Sequence, residues 1–295
     1  MRIFLATVIC LLFITACKKS STENNNPVNT GPLLSKFFVL DTSLPATIDT
    51  TEKIFITYDA QNRPATYSLM QFYYGDTTGK LDRSYQYTGN NSYATKTVTK
   101  YTSYSSGVPT DVTYETGDYT FANGQLTYDT IYRTDRFEAH NYSYNGNTIS
   151  YKEHFHNGGD NELSNANFYQ TISGDNITHQ LDTLITATNG TLYYQRSDVT
   201  SSYVNHPNPF YLVISPMKST LELWDYTIEN LFSTDKNLID QRSVDVHSWT
   251  SSNSSMSSTH QSYSYTYGSN AFPTRAVATL SSGSSTQVYT LVFQY

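Results

Sequence analysis

The chain has 295 residues, of which 38% are hydrophobic and only 15% charged, and its formal net charge is −7. That modest acidity excludes the basic face that nucleic-acid binding requires. Both cysteines, Cys10 and Cys17, fall near the N-terminus, so the remaining body has no disulfide or cysteine metal site and must be stabilised by its own core.

Arg2 is followed by an almost unbroken apolar run from Ile3 to Ile14. About a dozen apolar residues fall short of the ~20 that a spanning helix needs. The pattern predicts a secretory signal over residues 1–16. Its end, Ile14-Thr15-Ala16-Cys17, resembles a bacterial lipobox, which implies cleavage before Cys17 and lipid on its sulfur. The membrane is then a partner through that lipid, held by more than one acyl chain because a single chain anchors weakly. A plain cleaved secretory signal is the alternative. Lys18 to Pro27 offers almost nothing apolar to bury, so residues 17–32 are expected to be a disordered tether.

Residues 33–295 are expected to form a single antiparallel β domain. The chain's 27 tyrosines decide the class, because tyrosine and threonine favour a pleated, half-buried surface. Tyr263-Ser264-Tyr265-Thr266-Tyr267 places three rings on one face and hydroxyls on the other. Turn signals recur at Asp59-Ala60-Gln61-Asn62, Gly75-Asp76, Gly89-Asn90, Ser106-Gly107, Asn123-Gly124, Asn145-Gly146, Gly174-Asp175 and Asn189-Gly190. Between them lie candidate strands Lys53–Tyr58, Ala65–Tyr74, Ser92–Tyr101, Asp111–Phe121 and Gln125–Arg133. Further along come Asn141–Tyr144, Thr148–Phe155, Ala166–Ile172, Asn176–Leu184 and Thr191–Ser197. Hairpins without helical crossovers make an all-β, up-and-down meander, large enough to need curling into a barrel-like sheet to protect its edges. From Ser219 to Phe232 the apolar residues Leu221, Trp224, Ile228, Leu231 and Phe232 fall at helical spacing, with a capping box at Ser219 and Glu222. One short helix over 219–232, plugging or covering the sheet, is expected. A polar stretch, Ser251–His260, then separates Val244–Thr250 from a final pair of strands, Gln261–Tyr267 and Gln287–Tyr295.

The order Asn208-Pro209-Phe210-Tyr211, Leu231-Phe232-Ser233, Ser264-Tyr265-Thr266-Tyr267, Phe272-Pro273-Thr274-Arg275 and Tyr289 to Tyr295 is similar to Bacteroidota lipoproteins of unknown function with a porin-like fold. Tyr58-Asp59-Ala60-Gln61-Asn62-Arg63-Pro64 fits the same family and also resembles the tyrosine-aspartate repeats of Rhs-type proteins, with Asn62 in place of their usual glycine. The resemblance implies a curled, barrel-like sheet and no catalytic residues. In Bacteroidota lipoproteins an acidic run behind the cysteine often accompanies surface display. Lys18-Lys19 stand there in this chain, which implies an outer-membrane lipoprotein that faces the periplasm.

The densest polar cluster, Glu138, His140, Glu153, His154 and His156, flanks the Asn145-Gly146 turn. With those two residues as the loop, Glu138 faces Glu153, His140 faces Tyr151, Phe137 faces His154 and Asp135 faces His156. Opposed carboxylates at cross-strand distance fit a retaining glycosidase pair, and the histidines with Asp135 and Asp160 fit part of a metal site. The simpler reading is a solvated face with Arg136 nearby. No Gly-x-Ser-x-Gly elbow and no phosphate-binding glycine loop occurs. A non-enzymatic module without a cofactor is therefore expected, its tyrosine faces suited to a glycan or peptide ligand. An integral outer-membrane barrel is the alternative, because Tyr289, Leu291, Phe293 and Tyr295 alternate up to a terminal aromatic and offer a lipid face along the last strand.

Overall fold

Alternation of aromatic or aliphatic side chains with hydroxyls is what a pleated strand requires, and the computed structural model repeats it through sixteen strands. The structure describes residues 31–43, 49–134, 136–157, 165–188, 191–211 and 235–295. The first quarter holds β1 (Lys36–Asp41), β2 (Asp49–Tyr58), β3 (Pro64–Tyr73) and β4 (Asp76–Gln86). Next come β5 (Lys96–Ser105), β6 (Val108–Ala122), β7 (Gln125–Tyr132) and β8 (Arg136–Asn145). The second half holds β9 (Thr148–Asn157), β10 (Asn165–Ser173), β11 (Asn176–Thr188), β12 (Thr191–Pro207) and β13 (Asn237–Trp249). It ends with β14 (Ser254–Tyr267), β15 (Pro273–Ser282) and β16 (Ser285–Gln294). Each strand pairs antiparallel with its neighbours in sequence, and β1 closes on β16 with Phe37 opposite Phe293. Closure leaves no edge exposed for stray pairing. The expected helix over 219–232 lies outside the described residues.

Three strands, β1, β4 and β15, are additional to those the sequence signals mark. Most of the polar stretch 251–260 is strand as well, since β14 begins at Ser254 and pairs with both β13 and β15. Its outward row, from Ser254 and Met256 through Ser258, His260, Ser262 and Ser264 to Thr266, is polar apart from Met256 and lacks the apolar alternation that marks a strand with a buried face.

Two faces follow from the register. The inward rows meet at one end of the barrel, the base, in an apolar core. There Phe37, Ile54, Tyr67, Leu291 and Phe293 are buried, and Phe210 inserts among them with its ring 5.1 Å from Phe37. Asn208 bends the chain inward, its Oδ1 accepting from Phe210 N at 3.0 Å and its Nδ2 donating to Asp235 O at 3.0 Å. The row Tyr289, Leu291 and Phe293 therefore packs inside the barrel, with Leu291 fully buried. This corrects the expectation that the last strand offers its apolar row to lipid.

The base is built from two repeated devices. Tyrosines at the lower ends of six strands donate to carbonyls at the start of the preceding strand. They are Tyr58 to Leu34 (2.7 Å), Tyr87 to Pro64 (2.8 Å), Tyr144 to Leu126 (2.9 Å), Tyr203 to Ile177 (2.5 Å), Tyr265 to Ile239 (2.7 Å) and Tyr295 to Pro273 (2.9 Å). The second device is a turn found both at Tyr58–Pro64 and at Tyr267–Pro273. Asp59 N donates to Arg63 O and Asn62 N to Asp59 O, as Gly268 N donates to Phe272 O and Ala271 N to Gly268 O. Asn62 and Ala271 take the same left-handed backbone, with φ of 60° and 64°. Asparagine tolerates that region better than most side chains, which explains why Asn62 stands where the repeat resemblance calls for glycine.

Candidate functional site

The cluster singled out in sequence sits on β8 and β9, whose register depends on their turn. Only Gly146 has a positive φ, 56°, and Asn145 pairs with Thr148. A single glycine in the first loop position defines a Gly146-Asn147 loop rather than the Asn145-Gly146 type I′ turn that the dipeptide favours. The pairing is thereby displaced by two residues. Glu138 stands opposite Phe155, His140 opposite Glu153, Ala139 opposite His154 and Phe137 opposite His156. The opposed glutamates of the glycosidase reading do not form. The side chains of Glu153, His154 and His156, and Asp135 and Asp160 altogether, lie outside the described residues, and so do those elements of the metal reading. Among the described residues no group of three or more His, Cys, Asp or Glu is placed to hold a metal ion.

Glu138 and His140 occupy the inward row of β8 and are buried, contrary to the solvated face expected of them. Each is matched by a partner on another strand or connection. Arg133 donates to Glu138 and, at 3.0 Å, to Glu115 Oε2, while Arg83 reaches Glu115 Oε1 at 3.3 Å and Thr99 Oγ1 at 2.7 Å. Two guanidinium groups thus neutralise two carboxylates across β4 to β8. Beside them Asp129 pairs with His140 Nδ1 at 2.6 Å and accepts from Tyr142 OH at 2.8 Å. A buried charge without its counter-ion costs several kcal/mol, so the pairing of these ions holds the wall together, although Arg83 Nη1 has no hydrogen-bond partner among the described residues. The network's glutamates are engaged by arginine, and Asp129 by His140 and Tyr142.

The opposite wall is polar without being saturated. Gln170 Nε2 donates to Gln180 Oε1 at 3.0 Å, and Gln180 Nε2 donates to Asp182 Oδ2 at 2.7 Å. Among the described residues Asp182 Oδ1 has no hydrogen-bond partner. Burial pushes the Asp182 carboxyl up to about 6, against the lowering influence of Gln180 and of the Arg242 charge.

Sequence reasoning missed Arg83, Glu115 and Arg133, because the network joins residues 32 and 18 positions apart that only the barrel's register brings together. It also missed a cleft at the upper rim, between β11, β12 and β13 and the start of β14. The cleft has a volume of about 340 Å³ and is lined by aromatic, amide and hydroxyl side chains. The signal was Trp249 at the end of an otherwise mostly polar strand.

The outer face carries charge at mid-strand. Lys80 pairs with Asp82 at 2.8 Å, Lys96 with Asp118 at 3.7 Å, and Asp198 with both His179 at 2.9 Å and Arg196 at 3.6 Å. Lys53, Lys100 and Lys152 share the outward rows.

The class of protein these features define is a closed, porin-like antiparallel β-barrel. The chain is similar in structure to a porin-like protein from Bacteroides vulgatus, with a TM-score of 0.50, 11% sequence identity, and coverage of 89% of this chain and 98% of that one. It is also similar to a porin-like protein from Bacteroides uniformis, with a TM-score of 0.48, 17% identity, and coverage of 90% and 100%. No protein-family model and no curated protein matches the chain.

Proposed function

We propose that the protein is a lipid-anchored barrel of the outer-membrane envelope whose outer wall stands in water, and that it acts as a non-enzymatic binding or structural module. The observation that carries this reading is the outward rows. A barrel that crosses a bilayer presents an apolar band about 25 Å tall, and each lysine or arginine at its midplane costs ~2–4 kcal/mol. Here the corresponding positions hold Lys53, Asp82, Lys100, Asp118, Arg196 and Asp198, together with the mostly hydroxyl row of β14. Outward apolar residues such as Phe38, Met70, Val112 and Val277 share these rows with the charges. Attachment then falls to lipid on Cys17, and Lys18-Lys19 favour a periplasm-facing orientation. An integral outer-membrane barrel fits the closed sixteen-strand topology equally well, and the outward rows weigh against it.

The test is fractionation of the full chain and of Cys17→Ala. The wild type is expected in the membrane fraction, and Cys17→Ala is expected to leave it on an alkaline wash. A Cys17→Ala chain that stays in the membrane after that wash contradicts the reading.

A further inference from the structure

We infer that the upper-rim cleft beside Trp249 is a binding site for a neutral saccharide. The inference rests on the reading above, that this wall faces water. Tyr194 and Trp249 stand opposite each other across β12 and β13, and their rings lie nearly parallel, 8° apart in plane with centroids at 5.5 Å. The His247 ring follows at 4.8 Å from Trp249 on the same outward row. Together they make a partly exposed aromatic stack, with the His247 ring tilted 35° to that of Trp249. Tyr193, 47% exposed, rises from the adjacent inward row on the other side of the cleft.

The cleft is also lined by the amides of Gln195 and Asn253 and the hydroxyls of Thr250 and Ser254, with Gln195 rising from the inward row as Tyr193 does. The loop that carries Asn253 is fixed, because Thr250 N donates to Asn253 O at 2.8 Å and Thr250 Oγ1 accepts from Asn253 N at 3.1 Å. Such a site is pre-organised and loses little freedom on binding.

The lining selects the ligand class. None of the lining residues is Asp, Glu, Lys or Arg, so nothing there compensates a phosphate, sulfate or carboxylate, or a cation. On the outward row below the cleft, Arg196 and Asp198 engage each other. A flat aromatic face attracts the weakly positive C–H edge of an apolar ring face, and amides and hydroxyls both donate and accept. A pyranose ring has this same combination, one C–H face and a rim of hydroxyls. The volume falls in the usual range of small-ligand sites, ~300–1,000 Å³. The cleft also continues downward. A polar groove of about 530 Å³ follows the same strands and is lined by residues that include Ser202, Gln241, Ser243 and His260, with Arg242 adding a charge. Six residues of β13 separate Ser243 from Trp249, roughly 20 Å of strand, which suits an oligosaccharide more than a single sugar.

The test is isothermal titration of the full-length protein in a detergent without a sugar head group. The probes are maltoheptaose, chitotetraose and, for contrast, an oligogalacturonate, a chain of anionic sugars. Saturable heat is expected with at least one of the neutral probes. Trp249→Ala is expected to weaken it at least about tenfold, as loss of an aromatic anchor does. Trp249→Phe should retain binding to within about threefold, and Asn253→Ala, in an exposed loop, should weaken binding without touching the sheet. Tyr74→Ala, which removes an exposed ring from a different part of the rim, should change nothing. Circular dichroism checks the fold of each variant. The inference is overturned by silence from both neutral probes, by binding that ignores Trp249→Ala and Asn253→Ala, or by binding of the anionic probe alone. Any of these leaves the fractionation result for Cys17→Ala where it stood, so failure here is distinct from failure of the membrane reading.

Discussion

Arg133 is central to the interior charge balance, since it bridges Glu115 and Glu138. Arg133→Ala strands buried carboxylate charge and is expected to cost ~3–5 kcal/mol, read as a lowered midpoint in urea. Asp182 gives the opposite sign. Its folded carboxyl is raised to about 6 from an ordinary 3.8, so between those values the folded state binds more protons than the unfolded chain. The group therefore opposes folding fully above about pH 6, and the penalty fades as pH falls through 3.8. Asp182→Asn should stabilise the barrel at pH 7.5 by up to ~3 kcal/mol and have almost no effect at pH 3.5. Equal gains at both pH values would rule out this origin. Residues of this kind are poorly legible in sequence. Glu138 and His140 stand out because they are close together, but what makes them structural is Arg133, Asp129 and Glu115, supplied by other strands.

At the scale of the strand, the tyrosine content has a geometric cause. A strand that ends at the base needs its last ring apolar enough to join the core and polar enough to satisfy a carbonyl of the preceding strand, and tyrosine does both. Burial raises the Tyr265 hydroxyl far above its ordinary range, which keeps it a neutral donor to Ile239 O. Tyr265→Phe keeps the ring and loses the bond, and is expected to cost ~1–2 kcal/mol in thermal or urea unfolding. Alternation made these strands readable. So did Asn123-Gly124, where both residues take positive φ and the expected type I′ turn forms. Asn145-Gly146 has the same letters but a different turn, and that two-residue displacement alone dissolved the apparent carboxylate pair. The row of β14 was unreadable for another reason. A strand with a hydroxyl face toward water and small polar residues near the rim shows no period of its own, and its neighbours define it.

For the whole molecule, class and closure followed from composition and turn spacing, because a long meander must hide its edges. Which face is dry did not follow. Alternation says that two faces differ, but a barrel with an apolar interior and one with an apolar exterior share the same period. The packing of Phe37, Phe210, Leu291 and Phe293 places an apolar core inside the barrel at the base. Lysine, aspartate, serine and threonine recur on the outward rows, which also hold apolar residues such as Phe38, Met70, Val112 and Val277. A wall that stands in water, as proposed above, follows from the charged positions on the outward rows. The most direct measurement takes residues 20–295, without the signal and lipid cysteine, purified with no detergent. Its mass is read by light scattering, and its gel mobility is compared with and without boiling. The account predicts a dispersed species of defined mass without detergent. A body that aggregates until micelles are added, and then migrates faster unboiled than boiled, would contradict it.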